Sequence, residues 1–232
     1  MNIVSFSGGK DSTAMLLMML EKGIPVDRVF CVDTTKEFPQ MYEHIQKVQS
    51  LIEPLEIEIV KIDFDYYFSK HIKTKGKNKG KKGYGWPDFR TRWCTLQKRD
   101  CKIKYYKENN INKSNAVEYV GIAFDEQDRQ VMKSKNDGYN KKFPLVEWQM
   151  TGKDCLEYCY SKGLDWGGLY EKFHRVSCWC CPLSRIGELR VLHNDFPELW
   201  KELEEMDKKS SRKFRDDYSV TDLSEKFANE NL

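Results

Sequence analysis

Apolar residues along the chain change their period at regular intervals, first in short runs and then at helical spacing. Ile3 to Ser7 reads as a strand; from Asp11 to Lys22, Met15, Leu16, Met19 and Leu20 recur at helical spacing, and Gly23 supplies the stop. Val29-Phe30-Cys31-Val32 is a second buried run, closed by Asp33. A further helix is expected from about Pro39 to Leu51, ended by Pro54, and Ile57-Glu58-Ile59-Val60-Lys61-Ile62 alternates as a third strand. This β-α-β-α-β order predicts right-handed crossovers and a parallel sheet. Ligands of such sheets lie beyond the carboxyl ends of the strands, where Ser7 and Asp33 both fall.

Farther along, Trp93 to about Glu108 reads as a helix, Ala116 to Ile122 as a fourth strand, and the polar residues from Asp125 to Asn140 as a long loop. From Phe143 the texture turns aromatic and helical, with helices expected from about Thr151 to Lys162 and from about Ile186 to Leu203, followed by a polar tail. The expected organisation is an α/β domain over residues 1–142 and a helical, cysteine-containing region over residues 143–232 packed on it. No internal repeat is visible in the sequence.

At 232 residues, 40% apolar and 13% aromatic, the chain can bury one good core. Its apolar stretches are too short for a membrane span and the first strand starts with no leader before it, so a cytoplasmic protein without a membrane partner is expected. In that compartment eight cysteines point to metal ligands or catalytic thiols before disulfides. A net charge of +3 is too small to imply nucleic acid by itself, but it is unevenly spread. Between Lys70 and Lys82 stand seven lysines, a histidine, Gly76 and Gly80, and no acid. Such a stretch reads either as a solvated loop or as a basic lid over an anionic substrate such as a tRNA or DNA backbone.

The densest chemistry lies in Phe6-Ser7-Gly8-Gly9-Lys10-Asp11-Ser12, between the first strand and the first helix. Adjacent glycines permit positive φ and close backbone approach, and the first helical turn directs its amides at one spot. Lys10 adds a charge and Ser7, Ser12 and Thr13 add hydroxyl donors, a set suited to a pyrophosphate. The spacing matches neither the Walker A loop nor the dinucleotide glycine fingerprint.

Ser7-Gly8-Gly9-Lys10-Asp11-Ser12 resembles the PP-loop of the ATP pyrophosphatase superfamily, and with lysine in fourth place it is most similar to the phosphoadenylylsulfate (PAPS) reductase family. Three further segments extend the resemblance. Asp33-Thr34-Thr35-Lys36-Glu37-Phe38-Pro39 resembles the family's D-T-G-x-x-F-P-E-T, with Thr35 in place of glycine. Arg92, Cys94 and Lys98 match R-x-C-C-x-x-x-K, with Thr95 in place of the second cysteine. Gly121, Asp125, Glu126 and Arg129 match G-x-R-x-D-E-S-x-R, with Ala123 in place of the arginine.

The resemblance implies a Rossmann-like twisted, mainly parallel sheet with helices on both faces. It also implies that ATP or a sulfonucleotide (PAPS or APS), with Mg2+, is held by Ser5, Ser7, Gly8, Gly9, Lys10, Asp11, Ser12, Asp33, Thr34, Arg92, Lys98, Gly121 and Arg129. Among these, Lys10, Asp11 and Asp33 are expected to carry the chemistry.

Cys178 and Cys181 form C-x-x-C within Ser177-Cys178-Trp179-Cys180-Cys181-Pro182, a spacing that lets two thiolates face one centre. Together with Cys94 they resemble the arrangement by which adenylylsulfate reductases hold a [4Fe-4S] cluster; zinc (Zn2+) is the other occupant considered. Cys101, Cys180 and His174 remain open as the fourth ligand. Cys101 follows Cys94 by two helical turns, on one face about 10 Å away.

PAPS reductases attack with a cysteine in a carboxy-terminal E-C-G-x-H motif, and residues 220–232 contain no cysteine. The expectation is therefore an enzyme that adenylates a substrate with release of pyrophosphate, in the thiolation of a nucleic acid or a small molecule. Sulfonucleotide reduction or binding, and a non-catalytic nucleotide sensor, are the alternatives. A sulfur-donor protein and a homodimer are further possible partners that this reading implies.

Overall fold

The computed structural model describes residues 1–126, 128 and 138–230. The chain forms two compact units, each assembled from three separate stretches. Unit 1 comprises Met1–Asp33, Pro39–Lys61 and Asp100–Leu169; unit 2 comprises Thr34–Phe38, Ile62–Arg99 and a last stretch starting at Tyr170. Among the described residues no helix is long and apolar enough to cross a membrane.

Unit 1 is built on a five-stranded sheet whose strands all pair in parallel, in the order β3-β2-β1-β4-β5. The strands are β1 (Asn2–Phe6), β2 (Arg28–Asp33), β3 (Ile57–Lys61), β4 (Val117–Val120) and β5 (Asn140–Lys142). Ile3 and Val4 are both fully buried, as a strand covered on both faces requires, because successive side chains point to opposite sides. Polar Asn140-Lys141-Lys142 forms the strand at the end of the order, where lysine discourages further pairing.

Between the first strands run α1 (Lys10–Glu21) and α2 (Pro39–Leu51), and between β3 and β4 runs α3 (Trp93–Glu108). The chain steps from β1 to β2 to β3 in one direction and then returns past β1 to β4, so right-handed crossovers put α1 and α2 on one face and the later part of α3 on the other. Tyr105 and Tyr106 of α3 close over Ile3 and Phe30, Tyr105 stacking on Phe30 at 4.2 Å between ring centres. The reversal of strand order lies between β1 and β4, the position at which open α/β sheets take ligands.

After β5 come α4 (Pro144–Glu147) and α5 (Gly152–Ser161), and α5 packs along α1. Thr151 starts α5 with a capping box: its hydroxyl accepts from Asp154 N–H, and the Asp154 carboxylate accepts from Thr151 N–H.

Unit 2 is aromatic in its core. Trp86 packs against Phe68 and Phe214 and donates its indole N–H to Asp207 at 2.7 Å. Its later helices are α6 (Leu169–Lys172, of which Tyr170 onward belongs to this unit), α7 (Ile186–Asp195), α8 (Pro197–Lys209) and α9 (Val220–Glu230). The sequence run expected as one helix from Ile186 to Leu203 is broken at Phe196, because Pro197 lacks an amide proton and forces its predecessor out of helical geometry. The segment read as a polar tail contains α9, which buries Val220, Leu223 and Phe227.

The lysine-rich stretch folds back on itself as a hairpin. Lys73 N–H donates to Lys81 O, Gly80 N–H to Lys73 O and Gly83 N–H to His71 O, with an antiparallel bridge between Ile72 and Lys82. His71 stacks on Tyr84, and Tyr84 on Trp93, which moors the base of the hairpin.

Candidate functional site

In unit 1 the loop after β1 is shaped by its own hydroxyls. Ser12 Oγ donates to Gly9 O at 3.0 Å, accepts from Ser7 N–H at 3.1 Å, and lies 3.0 Å from Ser7 Oγ. No side chain caps α1 at Gly9, so the positive end of the helix is presented to the loop. Gly8 has φ 75°, and a Cβ there would come within 2.6 Å of Met41 Sδ. Gly121, at the end of β4, lies so close to the start of α1 that a Cβ would meet Ser12 Cα at 2.7 Å. The switch point of the sheet therefore brings together Ser7, Gly8, Gly9, Lys10, Asp11, Ser12 and Gly121.

The loop is also gripped from behind. The Trp166 indole N–H donates to Gly8 O at 2.8 Å, and its ring stacks on His44 at 4.1 Å. His44 Nε2 is 3.0 Å from Thr13 Oγ1, and burial, aided by the nearby Lys47 charge, pushes its pKa down to about 3, so the ring is neutral. Trp166, Gly167 and Gly168 have consecutive φ values of 51°, 58° and 79°. A left-handed tryptophan costs about 1–2 kcal/mol, and Asp165 Oδ1 helps to hold the bend by accepting from Gly167 N–H at 3.1 Å.

Lys10 Nζ pairs with Asp11 Oδ1 at 2.5 Å and lies against the start of α5, where a Cβ on Gly152 would meet it at 2.6 Å. Gly152 N–H donates to Asp125 Oδ1 at 2.9 Å. The ammonium thus stands at the mouth of the loop with carboxylates nearby, positioned to exchange one anionic partner for another. Asp33, at the carboxyl end of β2, is buried and accepts from Tyr42 OH at 3.0 Å. Ser5 lies inside β1, paired across to Phe30 and Val120.

Trp166, His44 and Gly152 were not among the residues singled out from sequence. The signal available for Trp166 was the adjacent Gly167-Gly168, a turn mark that says nothing about what the indole touches.

Other expected site residues belong to unit 2. Thr34 donates to Glu37 Oε1 at 2.8 Å, and Cys178 Sγ lies 3.1 Å from Thr34 Oγ1 and 3.5 Å from Glu37 Oε1. Lys98 approaches Glu37 at 3.7 Å, and the exposed Arg92 lies over the Phe89 ring at 5.6 Å. Arg129 lies outside the described residues.

All eight cysteines are unbridged. Burial raises the pKa of Cys178, and burial together with the nearby Cys94 raises that of Cys181, opposed by a hydrogen bond from the Leu183 backbone and then by Arg175 and Arg92. Cys94 and Cys178 each lie close enough to Cys181 to interact with it electrostatically, and three sulfurs suit a thiophilic centre in kind. In arrangement they do not yet form one, since among the described residues no three His, Cys, Asp or Glu side chains gather closely enough to hold a metal ion. Cys101 lies in unit 1, its pKa raised by burial and then by Asp100, with Lys104 opposing. His174 and Cys180 join no such group, and Cys180 is buried.

Comparison with known proteins places these features in a family. An uncharacterized protein of Methanocaldococcus jannaschii is 29% identical over 212 residues, which is 87% of this chain and 40% of that protein. An uncharacterized protein of Escherichia phage 186 is 34% identical over 122 residues, 53% of this chain and 34% of that one. The chain thus spans well under half the length of these curated relatives. Among solved structures, a U34-tRNA thiolase from Methanococcus maripaludis with its [4Fe-4S] cluster matches 99% of this chain and 70% of that one, at 15% identity and a TM-score of 0.46. The phosphoadenosine phosphosulfate reductase domain model matches residues 1–184, and the chain belongs to that family.

Proposed function

We propose that the loop from Ser7 to Ser12 binds ATP or a related adenine nucleotide and that the protein adenylates a substrate with release of pyrophosphate, the activating step of a sulfur transfer. The observation that carries this reading is the convergence of Ser7, Ser12, Lys10 and the start of α1 at the switch point of the sheet, with Gly8 fixed by Trp166. An oxygen of the substrate attacks the α phosphorus, the P–O bond to the β phosphate breaks, and the electron pair leaves with pyrophosphate. Lys10 and the helix start stabilise the charge that develops on this leaving group. Asp11 and Asp33 are the carboxylates that would hold Mg2+, which supplies further charge neutralisation when bound with the nucleotide. A sulfur donor then displaces AMP from the adenylated substrate.

Incubation with ATP and Mg2+ plus tRNA, DNA or small acceptors, followed by assay of pyrophosphate and AMP, tests the proposal. Release of both with one acceptor, reduced about a hundredfold or more in a folded Lys10→Met variant, is the expected result. Consumption of PAPS with a reductant, and no pyrophosphate from ATP, would replace it with sulfonucleotide reduction; nucleotide binding without turnover would leave a sensor.

For Cys94, Cys178 and Cys181, all in unit 2, the proposed role is to hold an iron-sulfur cluster or zinc. No step above passes through such a centre. Iron, sulfide and zinc are measured on the same protein purified without oxygen, and a metal-free preparation overturns this part alone.

A further inference from the structure

Unit 2 carries a cationic surface from which the ring of Phe89 stands out. From Tyr66 to Arg99 there are 11 lysines and arginines and a single acid, Asp88. That acid is committed: its carboxylate accepts from the backbone amides of Arg90 and Thr91 and pairs with Arg212. The turn so fixed presents Phe89, which is 75% exposed although rings of this size are normally covered. The guanidinium of Arg92 lies over its ring, 5.6 Å from the centre.

The lysine hairpin belongs to the same surface. Lys73 has its pKa lowered by burial and then by the charges of Arg212 and Lys81. Arg212 in turn holds Asp88 at the foot of the Phe89 turn. Lys73, Lys81 and Arg212 thus lie close enough for their charges to act on Lys73, and Arg212 is tied through Asp88 to the turn that carries Phe89, Arg90 and Arg92. An aromatic face beside an arginine and a row of cations matches an unstacked base and its phosphates.

We propose that this surface binds a single-stranded polynucleotide, with Phe89 stacking on an unpaired base and Arg90, Arg92, Lys73 and Lys81 contacting the backbone phosphates. The proposal names a class of acceptor for the sulfur-transfer reading but stands apart from it, because binding is measured without ATP.

The test is fluorescence anisotropy of the full chain with labelled 12-mers of RNA and DNA, single-stranded and duplex, across a range of NaCl. Single strands are expected to bind better than duplexes, with affinity falling as salt rises. Phe89→Ala should weaken binding at least about fivefold without altering the salt slope, the effect of losing one stacked base. The Lys73→Gln/Lys81→Gln pair should instead reduce the slope by about 1.4. A 2-aminopurine in the strand should be quenched by wild type and by Phe89→Trp but not by Phe89→Ala. Preference for RNA or for DNA identifies which strand is read, and either supports the proposal. Wild-type affinity in Phe89→Ala, tighter binding of duplex, no binding of single strands at low salt, or displacement of the strand by anionic vesicles or an acidic peptide at lower concentration than by unlabelled strand would overturn it.

Discussion

His44 shows how much one buried side chain can set. It stacks on Trp166 and bonds to Thr13 of α1, and its burial there keeps it neutral. Below its ordinary pKa of 6.5 the unfolded chain takes up a proton at this histidine, while the folded one resists until about 3. Unfolded protein therefore binds more protons across that window, and stability falls as pH falls through it, by up to about 1.4 kcal/mol per pH unit from this group. Between about pH 7 and about pH 4.5, His44→Gln should lose roughly 2–3 kcal/mol less stability than wild type in urea titrations. Equal losses would show that the imidazole is not held neutral. The loop glycines, Lys10 and both serines were legible in sequence because each is a residue type with few other reasons to stand at that spacing. His44 and Trp166 were not, since an aromatic ring in a helix or a turn looks the same whether it fills the core or grips a loop.

Strands and helices were legible wherever burial follows a simple period. Ile3-Val4 and Val29-Phe30 announce strands covered on both faces, and α3 appears where its pattern places it. The strand β5 was missed because Asn-Lys-Lys has no apolar signal; it exists by pairing with β4. Charge likewise hid the hairpin, whose order comes from His71, Tyr84 and Trp93 and from a backbone turn at Gly83. Gly83 has φ 64°, and a Cβ there would strike the carbonyl oxygen of Phe68. The Gly83→Ala substitution should therefore open the hairpin, seen as faster amide exchange at Lys73 and Gly80 with the strands of unit 1 unaffected. Unchanged protection would mean that the aromatic stack alone holds it.

At the scale of the whole molecule, each unit is drawn from three stretches, an arrangement that local patterns cannot report because it depends on which distant residues share a core. Trp86 needs Asp207 and Phe214, and Phe38 needs Phe173 and Phe196. A chain ended after Leu169 keeps all three stretches of unit 1 and loses the last of unit 2. Hydrogen exchange of that fragment should show β1, β2 and β4 protected and Ile62–Arg99 exchanging freely; protection throughout the latter would contradict the division. Vectorial synthesis gives the bond between Trp166 and Gly8 a further meaning. Gly8 leaves the ribosome 158 residues before the indole that holds it, an interval of roughly 8–32 s at ordinary translation rates. Until then a nascent chain carries the Ser7–Ser12 loop without its clamp, so the nucleotide binding proposed for that loop would wait until residue 166 has been made.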